Sequence, residues 1–194
     1  MYLSWIIPCY NEERRIEKTL REVDVYLRSK NFPEGYEIIV ANSASRDRTA
    51  DIVEGLIIEI PRLRLLTLEN KGKGWAVKRG MLDAKGDIRL FSDADNSTAP
   101  NYFDAMKPLF DKGYDIVISS RNSRDVVGAS RDIKEPWYRE IMGRMGNILI
   151  QIFGVWGIND TQNGFKALTA KSARDVFSRT LMYDFSFDIE MLAL

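Results

Sequence analysis

Ile88-Arg89-Leu90-Phe91-Ser92-Asp93-Ala94-Asp95 is the stretch that decides how this 194-residue chain is read. An apolar run stops abruptly in two carboxylates spaced one residue apart. The pattern predicts a buried strand that delivers both acids to its C-terminal end, and open α/β sheets bind their ligands in the crevice beyond that end. Asp93 and Asp95 share side-chain parity, so a strict strand would aim both at one spot. Two hard oxygen donors there suit Mg²⁺ or Mn²⁺, whose shell is usually completed by substrate phosphates. The competing expectation is structural: the acids end the strand and cap the helix that follows Pro100.

Outward from that stretch, strands and helices alternate. Tyr2 to Ile7 is strand-like and ends at Pro8. Asn11 is placed to cap a helix whose core face is Ile16, Leu20, Val23 and Leu27. Tyr36 to Val40, Leu63 to Leu68 and Ile116 to Ser119 read as further strands. Arg48 to Ile58 and Gly74 to Ala84 read as helices, and Pro100 opens another with Phe103, Met106 and Phe110 inward. Repeated strand–helix units imply an α/β fold, a mostly parallel sheet flanked by helices, in one domain spanning 1–194. Arg121 to Glu135 reads as a polar loop. Pro136 to Ile158 reads as a helix rich in large apolar groups, either a core helix or one lying on a membrane surface with Arg139 and Arg144 near headgroups. The pattern is unfinished at Leu194, which carries the expectation of a missing C-terminal continuation and of a membrane anchor within it.

Composition narrows the classes. Hydrophobic residues make up 45% and charged residues 29%, as in ordinary globular chains rather than disordered ones. The 28 basic residues balance the 28 acidic ones, so no global field recruits nucleic acid, and none is expected as a partner. Cys9 is the only cysteine, which excludes an internal disulfide; its place at the end of an apolar strand indicates packing. Histidine is absent, so acid–base chemistry must rest on carboxylates, a cation, a metal or the substrate itself. Tyr2 to Pro8 is too short for a signal peptide, and no apolar stretch approaches the roughly 20 residues of a spanning helix.

Two loops lie at the same sheet edge as Asp93 and Asp95. Strand one runs into Pro8-Cys9-Tyr10-Asn11-Glu12-Glu13, and strand two into Asn42-Ser43-Ala44-Ser45-Arg46-Asp47. Small polar residues in the second loop let a flat base approach the backbone, while Asp47 is placed to cap the helix after it. Asn70-Lys71-Gly72-Lys73-Gly74 then opens a helix; glycines permit close approach, lysines neutralise phosphate, and a helix N-terminus favours anions.

Taken in order, Pro8 to Glu13, Asn70 to Gly80, Asp93-Ala94-Asp95, Ser119-Ser120-Arg121, Asp160-Thr161-Gln162-Asn163-Gly164-Phe165-Lys166 and Phe187-Asp188-Ile189-Glu190 resemble the inverting glycosyltransferases of family 2, with the GT-A fold. Within that family the last two segments look most like the branch that makes dolichyl-phosphate or polyprenyl-phosphate sugars, its β-glucosyltransferases above all. The resemblance covers nearly the whole chain. It implies that Pro8, Tyr10 and Glu12, with Asn42 and Ser43, line a nucleotide pocket, and that Lys73 holds the nucleotide or its phosphates. Asp93, Ala94 and Asp95 would meet the nucleotide and the Mg²⁺ or Mn²⁺ ion, Asp95 most directly. Arg121 and Arg131 would face phosphates. Gln162 and Lys166 would sit near the sugar and the acceptor phosphate, with Asp188 and Glu190 bordering the sugar side.

The reaction so implied moves a hexose from a nucleotide sugar to polyprenyl or dolichyl phosphate, with UDP-glucose the leading donor and GDP-mannose second. It would run at the cytoplasmic face of a membrane, the protein being peripheral or anchored beyond residue 194. Relatives often carry paired acids where this chain has Asn42 and Ser43, a departure that bears on nucleotide identity. Two alternatives accompany this reading: a soluble family 2 enzyme acting on a sugar hydroxyl in polysaccharide synthesis, with Asp188 or Glu190 as base, and a non-catalytic nucleotide-sugar-binding homologue. A nucleotidyltransferase also uses acids on such a sheet, but Asp160 to Lys166 fits it poorly.

Overall fold

The computed structural model describes residues 2–30, 32–122, 155 and 157–194. The expected membrane-surface or core helix at 136–158 and the expected phosphate contact Arg131 therefore lie outside the described residues, apart from positions 155, 157 and 158. Six strands form one sheet in the order β3-β2-β1-β4-β6-β5. They are β1 (Leu3–Cys9), β2 (Tyr36–Ser43), β3 (Leu63–Leu68), β4 (Ile88–Ser92), β5 (Ile116–Ile118) and β6 (Phe165–Thr169). β1 pairs in parallel with β2 and β4, and β2 with β3. β6 runs antiparallel to both β4 and β5, so five strands share one direction and β6 opposes them. The sheet is thus mostly parallel, as expected, but β6 is an element that the sequence reading did not anticipate.

Helices α1 (Ile16–Ser29), α2 (Thr49–Ile57), α3 (Lys73–Asp83) and α4 (Phe103–Asp111) follow the first four strands in turn. A single 3₁₀ turn at Pro100–Tyr102 precedes α4, and α5 (Ala170–Arg179) and α6 (Phe187–Ala193) follow β6. One face of the sheet buries Trp5, Ile7, Ile38, Val40 and Leu90 against Ile16, Leu20, Val23 and Leu27 of α1. The other buries Ile6, Ile39, Phe91 and Leu168 against Val77, Met81, Ala173, Phe177 and Phe187 of α3, α5 and α6. Neighbouring residues such as Ile6 and Ile7 enter opposite clusters, because successive side chains of a strand point to opposite faces. That is why the strands read as continuous apolar runs. Phe103 and Met106 of α4 are buried as anticipated, while Phe110 is half-buried against the same cluster.

Local details depart from the sequence expectation in three places. β1 and β2 each run further than anticipated, to Cys9 and Ser43. Pro8 lies within β1, two residues past the last one paired with β4, so its missing N–H leaves that ladder intact. Asn11 does not cap α1: it takes a positive φ of 56°, and its Oδ1 accepts from the Arg46 N–H at 2.8 Å, joining the β1 and β2 loops. Asp47 does brace the start of α2, accepting from Thr49 N at 3.0 Å and, through its other oxygen, from Glu13 N at 3.1 Å.

Candidate active site

The order 3-2-1-4 places the topological switch between β1 and β4, since the chain winds from β1 outward to β3 and then returns to the other side of β1. Ligands of doubly wound sheets bind at such a point, beyond the strand C-termini. The loops after β1 and β4 flank it, and Asp93 and Asp95 stand there.

The strand parity argument does not survive as stated. β4 ends at Ser92, and residues 94–95 form a turn, so the two carboxylates are aimed by that turn and not by the pleat. The turn is held from several sides. Asp93 N donates to Gly164 O at 3.1 Å, Thr19 Oγ1 of α1 donates to Ala94 O at 2.6 Å, and Ser97 N donates to Asp95 Oδ1 at 3.0 Å. Asn96 takes a positive φ of 50° and donates through Nδ2 to Glu22 Oε2 at 2.6 Å. Ala94 is buried, and its carbonyl rather than its side chain carries the contact.

The two acids then differ in company. Lys73, the first residue of α3, places Nζ 2.6 Å from Asp93 Oδ1. Among the described residues Asp95 has only a distant cation, Arg15 Nη1 at 3.9 Å, and its side chain is 42% exposed. Asp95 is therefore the carboxylate freer to take a metal ion, and Asp93 the one already balanced by a lysine. No group of three or more His, Cys, Asp or Glu placed to hold a metal ion occurs among the described residues. A pair of carboxylates without nitrogen or sulfur donors fits Mg²⁺ or Mn²⁺ sharing its shell with phosphate and water, and suits no softer metal.

Behind this turn lies a second charge pair. Lys166 of β6 and Asp188 of α6 are fully buried and joined by a direct ion pair, and Lys166 Nζ also donates to Asn163 O at 2.8 Å. Burial pushes the Lys166 ammonium below its ordinary value and the Asp188 carboxyl above its own, each partly offset by the other. Lys73 and Asp93 act electrostatically on the same pair, so the four groups form one cluster. Lys166 presents no surface to a ligand; it reaches the site by fixing Asn163 and Asp188.

The remaining expected residues are distributed as follows. Tyr10 is exposed, and its hydroxyl accepts from Lys71 Nζ at 2.7 Å, which lowers the phenol's pKa. Glu12 clasps Arg15 with both oxygens, at 2.8 and 3.0 Å, and its N–H is held by Thr49 Oγ1 at 2.8 Å. Asn42 and Ser43 are almost wholly buried and brace loops: Asn42 Oδ1 accepts from Ser45 N at 3.3 Å, and Ser43 Oγ lies 2.8 Å from Asn70 O and 3.3 Å from Gly72 O. Arg121 forks onto Asp160 through Nε and Nη2, at 2.9 and 3.0 Å. Gln162 is exposed beside buried Thr161 and Asn163. Glu190 accepts from the N–H groups of Leu181 and Met182, at 2.8 Å for the shorter contact to each, so it holds the preceding loop. Cys9 is buried, and burial raises its thiol well above the ordinary value, in keeping with packing.

Sequence reasoning overlooked Arg15, Thr19, Asn163 and Gly164 as parts of the site. Only the last two left a trace, in the Asp160-to-Lys166 motif.

Comparison with known proteins places the family and the fold. Residues 4–177 match the family described as glycosyl transferase family 2. A protein of Trichomonas vaginalis named dolichyl-phosphate beta-glucosyltransferase ALG5C is 37% identical over 100% of this chain and 59% of its own length. The dolichyl-phosphate beta-glucosyltransferase of Drosophila melanogaster is 38% identical over 99% of this chain and 62% of its own. The chain thus spans about three-fifths of these relatives. Glucosyl-3-phosphoglycerate synthase from Mycobacterium tuberculosis, crystallised with Mn²⁺, UDP and glucosyl-3-phosphoglycerate, superposes with a TM-score of 0.65 at 21% identity, over 98% of this chain and 63% of that one. The fold is that of the GT-A glycosyltransferases, and the chain belongs to glycosyltransferase family 2.

Proposed function

We propose that the chain carries the catalytic site of an inverting hexosyltransferase that moves glucose from UDP-glucose to dolichyl or polyprenyl phosphate, with GDP-mannose the second donor. The observation that carries this reading is the acidic turn at the switch point, with Asp95 half-exposed beside a cation no nearer than 3.9 Å and Asp93 paired to Lys73. The names of the relatives supply the sugar and the lipid.

In this reading the β1 and β2 loops receive the nucleoside. Asn42 and Ser43 support those loops from within, so the base meets mainly backbone there. Asp95, with Asp93 beside it, holds the divalent cation, which when bound supplies positive charge to the departing diphosphate. Lys73 exchanges Asp93 for phosphate when donor arrives. An acceptor phosphate is ionised at neutral pH, so its oxygen attacks the anomeric carbon without a general base, and the absence of histidine is no obstacle. Buried Lys166 and Asp188 position the 160–164 loop that borders the sugar, with Gln162 presented to it. Arg121, already oriented by Asp160, faces the phosphates.

The test is transfer from a panel of nucleotide sugars to polyprenyl phosphate, with and without Mn²⁺. Asp95→Asn keeps the oxygen that accepts from Ser97 N, so the melting temperature should hold while transfer falls by about two orders of magnitude or more. Full activity in this variant overturns the assignment.

A further inference from the structure

Leu181, Met182, Tyr183 and Phe185 form a run of large apolar side chains that are 77%, 49%, 45% and 72% exposed. Elsewhere among the described residues, exposed apolar side chains such as Val25, Ile58 and Tyr114 stand apart from one another in sequence. Scattered exposure is ordinary, whereas a contiguous patch marks an interaction surface.

The run is held in place. Glu190 accepts from the N–H groups of Leu181 and Met182, Tyr183 O accepts from Trp75 N at 3.1 Å, and Lys78 Nζ donates to Thr180 O at 2.7 Å. Gly74 of α3 permits the approach: a Cβ there would lie 2.8 Å from Met182 O and 2.7 Å from Phe187 Cβ. The backbone is thus tied down while its apolar side chains are turned outward.

What surrounds the run names its partner. The Trp75 ring lies 5.0 Å from Tyr183, Lys78 Nζ 5.7 Å from the Tyr183 ring, Lys73 Nζ 5.9 Å from the Phe185 ring, and the Arg79 guanidinium 5.6 Å from Trp75. Aromatic rings interleaved with lysine and arginine are the composition of a bilayer interface, where rings sit at headgroup level and cations meet anionic lipid. Asp184, the acid within the run, is turned to Ser186 N at 2.9 Å. Lys73 is shared between this patch and the Asp93 pair, so the surface adjoins the site.

We propose that Leu181–Phe185 is a membrane-contact lip, which seats the charged site against an anionic bilayer so that a lipid phosphate meets it from the headgroup plane. The proposal rests on the transferase reading for its purpose, but not for its measurement.

The experiment is co-sedimentation of the 194-residue chain with phosphatidylcholine vesicles, with and without phosphatidylglycerol. The wild type should bind, more tightly on anionic vesicles and less in high salt. Leu181→Ser with Phe185→Ser should lower the partition coefficient about tenfold or more at an unchanged melting temperature. A second measurement needs no loss of function. Cys9 is buried, so Phe185→Cys offers one accessible thiol for an environment-sensitive fluorophore. Its emission should shift to the blue on vesicle addition. The same label at Ile58, 87% exposed at the opposite edge of the sheet, should not shift. Unchanged partition in the double variant, no wild-type binding, or a lip that drives self-association instead of vesicle binding overturns the proposal. Nucleotide titration without vesicles reads the transferase assignment separately.

Discussion

Gly164 stands where a side chain cannot go. Its carbonyl accepts from Asp93 N at 3.1 Å, and a Cβ on its backbone would fall on the Asp93 carboxylate. The glycine therefore sets how closely the loop before β6 may approach the acidic turn. Gly164→Ala should push Asp93 off Lys73 and destabilise the fold by about 1–3 kcal/mol, the ordinary cost of overpacking. Nucleotide affinity in Mn²⁺ should fall about tenfold or more. Urea unfolding and a nucleotide titration measure the two effects; unchanged affinity would place the nucleotide away from Asp93. At this scale the place of Asp93 and Asp95, just past the end of β4, was legible, because an apolar run ending in acids marks where a strand stops. Their different environments were not: Lys73 lies twenty positions away, and the turn that re-aims the acids is set by Thr19, which carries no local signal, and by Gly164, whose motif lies about seventy positions downstream and does not show that it meets Asp93.

Among the elements, β6 is the instructive omission. Phe165-Lys166-Ala167-Leu168-Thr169 is a short run with a lysine near its middle, and a lysine in a strand ordinarily faces water. Here Phe165 and Ala167 join one core cluster and Leu168 the other, while Lys166 is fully buried because Asp188 of α6 accompanies it. The compensating charge lies 22 residues downstream, beyond the reach of local periodicity. Strands β1 to β5 and helices α1 to α4 were legible since each carries its own apolar pattern. The energetic consequence is testable. Lys166→Met leaves Asp188 buried without a counter-ion and should cost about 3–5 kcal/mol, whereas Lys166→Met with Asp188→Leu should recover much of it, because replacing both charges removes the uncompensated one. Transfer activity should stay lost in the double variant, since the 160–164 loop loses its anchor at Asn163. Denaturant melts of the two variants decide this, and equal stability of single and double would show that the pair is not coupled.

Across the whole molecule the sheet separates two groups of charge. Its C-terminal edge holds the Lys73, Asp93, Lys166 and Asp188 cluster, and its N-terminal edge is closed by one carboxylate. Glu37 of β2 accepts from Ser4 Oγ of β1 at 2.6 Å, from Arg64 Nε of β3 at 2.8 Å and from Lys85 N, at the turn into β4, at 2.7 Å. Ser4 Oγ in turn accepts from Gly86 N at 2.8 Å. Burial alone would raise the Glu37 carboxyl, but the Ser4, Lys85 and Arg64 hydrogen bonds outweigh it and hold the group below its ordinary value of 4.5. A carboxyl depressed in the folded state stabilises fully above its unfolded pKa, and that stabilisation drains away as pH falls through the folded one. The wild type should therefore lose stability below about pH 4.5, each unit of depression being equivalent to about 1.4 kcal/mol. Glu37→Gln keeps one acceptor oxygen but no charge, so at pH 7 it should be less stable by about 1–3 kcal/mol. The gap between the two proteins should then close on acidification, because the wild-type carboxyl becomes neutral as well. Urea melts from pH 7 to pH 3 read the gap directly; one that stays constant across that range would mean that the hydrogen bonds alone, and not the charge, tie the four strands together at this edge.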